Sequence, residues 1–134
     1  MSHTRHVDTD GNLVTNISGV VNIDEIVGLQ NDLCNYVRNG AIYELIIHDH
    51  GVSMNLDSKD AVTSADNLKR VMQKITKGAL AFVSDEDFVF GLCRQLQIRV
   101  DNDFIQMCVF RTEDTARTWL DEMRSLNMAK QETG

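Results

Sequence analysis

The sequence predicts one α/β domain, with a mixed, mainly parallel sheet of about five strands flanked by four helices. Three observations predict this fold class. Short apolar runs alternate with longer segments of helical periodicity, which is typical of a parallel sheet and its crossover helices. A tight-turn signal near the N-terminus predicts a leading β-hairpin. The length of 134 residues suits one domain, since about 100–150 residues is the commonest domain size.

The N-terminal hairpin is predicted from a turn and an alternating strand. Residues 3–7 (HTRHV) precede Asp10-Gly11, which favours a tight turn because glycine accepts a positive φ at little cost. Residues 12–21 (NLVTNISGVV) then alternate between two faces. We expect the more apolar face to be the buried one. It carries Leu13, Thr15 and Ile17.

The first helix is predicted over residues 22–40. Asn22 is the expected N-cap, and Glu25 has the capping-box position three residues later. Asn39-Gly40 is the expected stop, because glycine readily takes the left-handed conformation that ends a helix. The inward stripe at helical spacing is Ile26, Leu29, Leu33 and Val37.

A second strand–helix unit follows. Residues 43–49 predict a strand whose continuous apolar centre indicates burial on both faces. Residues 58–75 predict a helix that begins at the capping residue Ser58 and is ended by Lys77-Gly78. The predicted inward residues are Ala61, Ala65, Leu68, Met72 and Ile75.

Two further units complete the domain. Strands are predicted over 79–83 and 103–110, with a helix over 85–100 between them that Ser84 caps. The helix at 111–126 has Thr112 as its N-cap. The predicted inward residues of these two helices are Phe88, Val89, Leu92, Cys93, Leu96, Ala116, Trp119, Leu120 and Met123. The domain is expected to span residues 1–126, and the polar segment 127–134 is expected to be a disordered tail.

Composition narrows the function classes. The net charge is −7 and the basic residues are dispersed, which argues against a nucleic-acid surface because phosphate contacts need clustered Lys and Arg. No apolar run approaches the roughly 18–20 residues of a membrane helix, and the N-terminus has no signal core, so a cytoplasmic protein is expected.

Cys34, Cys93 and Cys108 are expected to be reduced, buried thiols.

Motifs for cofactors and catalysis are missing. The first strand-to-helix turn, SGVVNIDE, holds one glycine where dinucleotide binding needs a glycine-rich pattern, and no P-loop occurs. No cofactor is therefore expected. The acidic run at 84–87 is interpreted as a helix start rather than a carboxylate site, because acids favour the positive end of a helix dipole. Without a readable nucleophile elbow or triad, the prediction is a non-enzymatic protein.

The best metal candidates are His48 and His50. Alternate strand residues share a face, so two imidazoles could converge with Asp49 beside them. No third ligand is identifiable, although His3 and His6 occur in the first strand. The preferred interpretation is a polar strand end that opens into a solvated loop, because a histidine pair alone is a weak motif.

Two stretches carry a resemblance to a known family. Residues 45–58 (LIIHDHGVSMNLDS) are similar to the anti-sigma factor antagonist pattern of a hydrophobic strand, an Asp, a Gly-Val pair and Asp-Ser at a helix start. Residues 80–120 contain a helix with an internal Phe-Gly, a strand that ends in Val-Phe-Arg and a final A-x-x-W-L helix. They look like the C-terminal half of small bacterial STAS-like proteins. The chain thus resembles the STAS-like family, nearest to its small uncharacterised members, and a STAS-like fold is implied.

The resemblance implies a candidate regulatory serine. In the antagonists, the serine at this helix start is phosphorylated by a partner kinase, which blocks binding to that kinase. Asp57 and Ser58 match the Asp-Ser pair. The antagonists continue with Ser or Thr and then Gly, whereas this chain continues with Lys59 and Asp60. Because Ser58 is also explained as a plain helix cap, both interpretations stay open.

Two functional hypotheses follow. The first is a cytoplasmic bacterial regulatory module that binds a protein, either a kinase-type or an anti-sigma regulator, and forms a homodimer. Its recognition patch would be Asp49, His50, Ser53, Asp57 and Ser58. The second is a small-molecule or lipid-binding domain with an apolar pocket between sheet and helices. That pocket is expected near Met72, Phe88, Phe90 and Met107.

Overall fold

The computed structural model describes residues 1–133, with side chains described as far as Ala129. Its strands are β1 (Ser2–Val7), β2 (Leu13–Ser18), β3 (Val20–Val21), β4 (Ala41–His48), β5 (Ser53–Met54), β6 (Lys77–Val83) and β7 (Ile105–Phe110). Its α-helices are α1 (Ile23–Asp32), α2 (Ser58–Met72), α3 (Asp87–Val100) and α4 (Glu113–Thr133), and a 3₁₀ turn covers Leu33–Tyr36.

Five strands form the main sheet, in the order β1-β2-β4-β6-β7. β1 and β2 pair antiparallel as the N-terminal hairpin, and all other neighbours pair parallel. The predicted fold class is therefore confirmed, with its mixed sheet and four helices. The separate two-stranded sheet of β3 and β5 was not predicted, because each strand has only two residues.

The parallel strands run across the sheet without reversing direction. Right-handed crossovers then place every connecting helix on the same face of the sheet. This face is covered by α1, α2 and α3, which contribute to the larger apolar core. The opposite face is covered by α4 through Ala116 and Leu120. Residues 1–133 therefore contain no switch point of strand order, which is where doubly wound folds bind nucleotides.

The second strand is buried on both faces rather than one. Leu13 and Ile17 belong to the core beneath α1–α3, as predicted. Val14 belongs to the core beneath α4, which the alternation of β2 alone did not indicate. The two-sided burial follows from the position of β2 inside the sheet, between β1 and β4.

Two helices end earlier than predicted. α1 stops at Asp32 and tightens into the 3₁₀ turn, so Asn39 and Gly40, both with positive φ, form the turn into β4 instead. α2 stops at Met72, and Gly78 lies inside β6. A Cβ at Gly78 would collide with the carbonyl oxygen of Ile42 on β4. This glycine therefore permits close strand pairing and is no helix stop.

The predicted caps hold for α1 and α4 but not for the other two helices. Asn22 and Glu25 form the predicted capping box, and Thr112 Oγ1 accepts from the Thr115 N–H at 3.3 Å. The cap of α2 is Asp57 rather than Ser58. Its Oδ1 accepts from the Asp60 N–H at 2.8 Å, and Ser58 is the first helical residue.

The start of α3 also differs from the prediction. Ser84 lies two residues before the N-cap residue Glu86, and its Oγ accepts from the Glu86 N–H at 3.1 Å. It therefore organises the turn after β6. The inward face of α3 is rotated as well. Phe88 is 64% exposed, and the buried residues are Val89, Cys93 and Val100.

The C-terminal segment is helical as far as Thr133, which corrects the tail predicted over 127–134. Asn127 Nδ2 donates to the Tyr43 hydroxyl at 2.8 Å, so the extension is tied to β4. Gly134 lies outside the described residues. No helix within residues 1–133 is long and apolar enough to cross a membrane.

The three cysteines are free thiols, as predicted, but only Cys93 is fully buried. Cys34 is exposed in the 3₁₀ turn, and Cys108 is half-buried on β7. The predicted burial is therefore wrong for Cys34.

Candidate functional site

An apolar cavity of about 120 Å³ lies between the sheet and the helices α1, α2 and α3, and it is partly open to solvent. Strands β2, β4 and β6 form its floor, β5 adds Met54, and the loop before α2 adds Leu56. Most of its wall is apolar. The apolar lining comprises Ile17, Val21, Ile26, Leu29, Leu33, Ile46, Met54, Leu56, Ala61, Leu68, Leu80, Phe82, Leu92, Cys93 and Leu96.

The sequence creates this space through strand alternation and small helical residues. Successive strand residues point to opposite faces, so β4 presents Glu44, Ile46 and His48 to the cavity. Opposite them, α2 contributes the short side chains of Ala61 and Ser64. Short side chains at these two positions leave the gap between helix and sheet unfilled.

One polar part of the wall is a hydrogen-bond network around Glu44. Glu44 Oε2 accepts from Arg5 Nη2 at 2.8 Å and from the Thr15 hydroxyl at 2.7 Å. Arg5 Nε donates to Thr15 Oγ1 at 2.9 Å, and Nη1 donates to the Leu29 carbonyl and to Asp32. Burial raises the pKa of Glu44, and the Arg5 guanidinium offsets part of that rise. The network joins β1, β2, β4 and α1.

The second polar group is His48, whose exposed fraction is only 7%. Its Nδ1 lies 3.1 Å from the Val83 carbonyl oxygen. A carbonyl only accepts, so Nδ1 carries the hydrogen. Burial lowers the pKa of His48, against the smaller opposing effects of this hydrogen bond and of Asp49. His48 is therefore neutral at pH 7, and its Nε2 is a free acceptor.

The structure does not bring His48 and His50 together. β4 ends at His48, whereas His50 is exposed in the following loop, with Nδ1 3.3 Å from Asp85 Oδ2. Among the described residues, the one cluster of metal-ligand side chains is His50, Asp85 and Glu86. It is open to solvent and lies at the start of α3, where acids are favoured by the helix dipole.

The predicted recognition residues do share one surface. Asp49, His50, Ser53, Asp57 and Ser58 are all exposed, between the carboxyl end of β4 and the start of α2. We call these five residues the 49–58 patch. The backbone of this loop is held by pairing with β3, since the Ser53 N–H donates to the Gly19 carbonyl at 2.9 Å and the Asn55 N–H to the Val21 carbonyl at 2.8 Å.

The residues predicted to form the pocket lie elsewhere. Met72 is packed in the core, Phe88 is exposed, and Phe90 lies under the Arg111 guanidinium at 4.0 Å. None of these lines the cavity, and Met107 instead borders a second depression near the start of β7. The available sequence signal was the polar pair Glu44 and His48 within an otherwise apolar strand.

Comparison of the chain with models of known families, with curated proteins and with solved structures found no match. The STAS-like family therefore stays a prediction.

Proposed function

We propose that this domain is a non-enzymatic STAS-like module that binds a small apolar molecule in the cavity between its sheet and α1–α3. The cavity itself is the observation that carries the proposal. Protein interiors are packed to crystal-like density, with few voids larger than a water molecule. An apolar cavity of about 120 Å³ leaves its lining without packing partners, and a ligand would restore those contacts.

The size of the cavity limits the ligand. Empty apolar cavities of about 150 Å³ in other proteins bind benzene, so a ligand on the scale of one aromatic ring is expected. A longer molecule would extend through the open side, past the half-buried residues Ile26, Leu29, Leu92 and Leu96.

The chemistry of the wall favours binding over catalysis. Cys93 is a lining nucleophile, but burial raises its pKa to about 12, so the reactive thiolate is not populated at neutral pH. The Glu44 carboxyl is occupied by Arg5 and Thr15. We therefore propose binding without a reaction in the cavity. We also propose that the protein is cytoplasmic and bacterial.

A titration with toluene, followed by two-dimensional ¹H–¹⁵N NMR, tests this function. The largest shift changes are expected near Ile17, Leu68 and Cys93, and little change near Leu120 on the other face. Ser64→Leu should fill the cavity and abolish the response. Val62→Leu is the matched control, because Val62 lies on the same helix but is exposed. No saturable response in the folded wild type would overturn the proposal.

A second candidate is supported by the 49–58 patch. Exposed Ser58 is the first residue of α2, where a phosphate would meet free N–H groups at the positive end of the helix dipole. The carboxylates of Asp57 and Asp60 would oppose that added charge. In this candidate the domain is a regulatory module, a homodimer whose partner is a kinase-type or anti-sigma regulator.

Mass spectrometry of the protein purified from its host tests the second candidate. Phosphate on Ser58 of the wild type and a co-purified partner whose yield changes in Ser58→Ala would support it. Unmodified Ser58 and an unchanged set of partners would contradict it. Ser53→Ala is a matched control, since Ser53 is exposed in the same loop but lies outside α2.

A further inference from the structure

His48 carries a hydrogen-bond acceptor that the fold leaves unused. The residue lines the cavity and is more than nine-tenths buried. Its Nδ1–H is committed to the Val83 carbonyl. Its Nε2 has no hydrogen-bond partner among the described residues. Among those residues, the only solvent-inaccessible side-chain nitrogen or oxygen without a partner is Asn12 Nδ2, so Nε2 of His48 is not fully enclosed. The nitrogen is thus reachable by a small molecule.

The other polar atoms of the wall are largely satisfied within the protein. Arg5 donates through all three of its nitrogens. The Ser64 hydroxyl donates to the Ala61 carbonyl at 3.1 Å, and Gln30 Oε1 accepts from Asn67 at 2.9 Å. Gln95 and Arg99 also line the cavity, but both are exposed and can bond to water. No cation in the buried wall is free to bind an anionic ligand.

Glu44 is the main competing acceptor, although the Ser64 hydroxyl and Gln30 Oε1 also keep free lone pairs. Its Oε1 has no partner among the described residues, but its Oε2 already accepts two hydrogen bonds, one of them from a guanidinium. Glu44 lies four positions before His48, which is about 13 Å along β4. A ligand on the scale of one ring cannot reach both. In His48, by contrast, Nε2 carries the only acceptor lone pair of the neutral ring.

We propose that the cavity selects an uncharged apolar molecule with one O–H or N–H group, which donates a hydrogen bond to Nε2 of His48. The inference rests on the proposed function, since it requires that the cavity binds a ligand. Phenol represents this ligand class. Toluene has nearly the same size and shape and lacks the donor. An anionic group beside His48 is disfavoured, because it would meet a lone pair there and the Glu44 carboxyl in the same wall, whereas Arg99 lies at the exposed side of the cavity.

The test measures the dissociation constants of phenol and toluene by NMR titration, for the wild type and for His48→Phe. A net hydrogen bond contributes about 0.5–1.5 kcal/mol, which is a factor of about 2 to 12. The ratio of the toluene constant to the phenol constant should therefore fall by about that factor in His48→Phe. This ratio is compared between the two proteins because phenol and toluene differ in hydration, and that difference is the same for both proteins.

A second measurement needs no variant. Long-range ¹H–¹⁵N spectra report the two ring nitrogens of each histidine, and a donated hydrogen bond moves the acceptor signal. Phenol should shift Nε2 of His48 in the wild type, and toluene should leave it in place. A purely structural histidine would respond equally to both ligands.

The outcomes separate the two levels of the proposal. If neither ligand binds, the proposed function fails. If both bind, but phenol leaves Nε2 unshifted and the ratio is unchanged in His48→Phe, the donor inference is wrong while the proposed function stands. If the phenol preference is lost in Glu44→Gln and kept in His48→Phe, the acceptor is Glu44 and the inference is likewise overturned.

Discussion

Arg5 Nη2 lies 2.8 Å from Glu44 Oε2, and this ion pair connects the edge strand β1 to the central strand β4 across β2. Both side chains are almost completely buried. A buried pair contributes little net stability compared with apolar residues, but loss of one partner is costly because the other is left uncompensated. The pair also forms part of the cavity wall. Its integrity therefore affects both the hairpin and the candidate site.

Arg5→Met should lower the free energy of unfolding by up to about 3–5 kcal/mol at pH 7. Glu44 would keep only its hydrogen bond from Thr15. Urea unfolding at pH 7 and pH 4.5 measures the effect, which should shrink at the lower pH because Glu44 is then protonated. Arg94→Met is the control, since Arg94 is exposed on α3. Equal losses in the two variants would refute a buried ion pair.

His48 should make stability depend on pH. Burial lowers the pKa of folded His48 below its ordinary value of 6.5, so the unfolded state binds more protons between these two values. The stability contributed by neutral His48 is then fully present above pH 6.5 and is lost as pH falls through the folded pKa. The difference in unfolding free energy between wild type and His48→Phe should decrease from pH 7.5 to pH 5.5.

The same pH comparison must separate His48 from the other titrating groups. Glu44 has the opposite sign, because its raised pKa gives stability below the ordinary value of 4.5 that is lost as pH rises. This effect cancels between wild type and His48→Phe, since both retain Glu44. His6→Gln is the matched control for the loss of a histidine, since His6 is exposed in β1. A constant difference between wild type and His48→Phe would show that His48 does not titrate differently in the two states.

Enlarging the cavity should destabilise the protein in a way that a ligand reverses. Leu68→Ala removes a buried wall residue and should cost about 2–5 kcal/mol. Saturating benzene should recover part of this loss in thermal unfolding. Leu120→Ala, at an equally buried position on α4, should cost a similar amount and recover less, because the space that it opens does not join the native cavity. Equal recovery in both variants would indicate that the native cavity is not the benzene site.

The N-terminus of α2 allows a sharp comparison between neighbouring residues. Asp57→Ala should destabilise the protein by about 0.5–2 kcal/mol, because Asp57 accepts the Asp60 N–H as the helix cap. Ser58→Ala should change stability by less than about 0.5 kcal/mol, as expected for an exposed substitution. Urea unfolding of the two variants measures both effects. A larger loss of stability in Ser58→Ala than in Asp57→Ala would indicate that Ser58 is the cap.

Local sequence patterns were sufficient for the order of the five main-sheet strands and the four α-helices. The Asp10-Gly11 turn predicted the hairpin, and the Asn22 capping box and the Thr112 cap were read correctly, because each depends on residues within four positions. The apolar runs at 43–49 and 79–83 predicted strands buried on both faces, and these became β4 and β6. Alternation of such strands with helices then determined a mainly parallel sheet.

Helix faces and helix ends were less predictable. In α3, two apolar stripes are compatible with the sequence, one through Phe88 and one through Val89, and only docking against the sheet selected the second. At α2, Asp57 and Ser58 are both good caps, and the backbone path from β5 decided between them. In each case the local energies were close, so packing made the choice.

The sequence by itself determined the fold class, the hairpin and the exposed 49–58 patch, because turn signals, caps and hydrophobic periodicity act over a few residues. Only the tertiary structure decided where the cavity lies and what lines it. Arg5 reaches Glu44 across 39 positions and His48 reaches Val83 across 35. Such pairs depend on strand order and register, which bring distant residues onto one face of the sheet and leave no local signal in the chain.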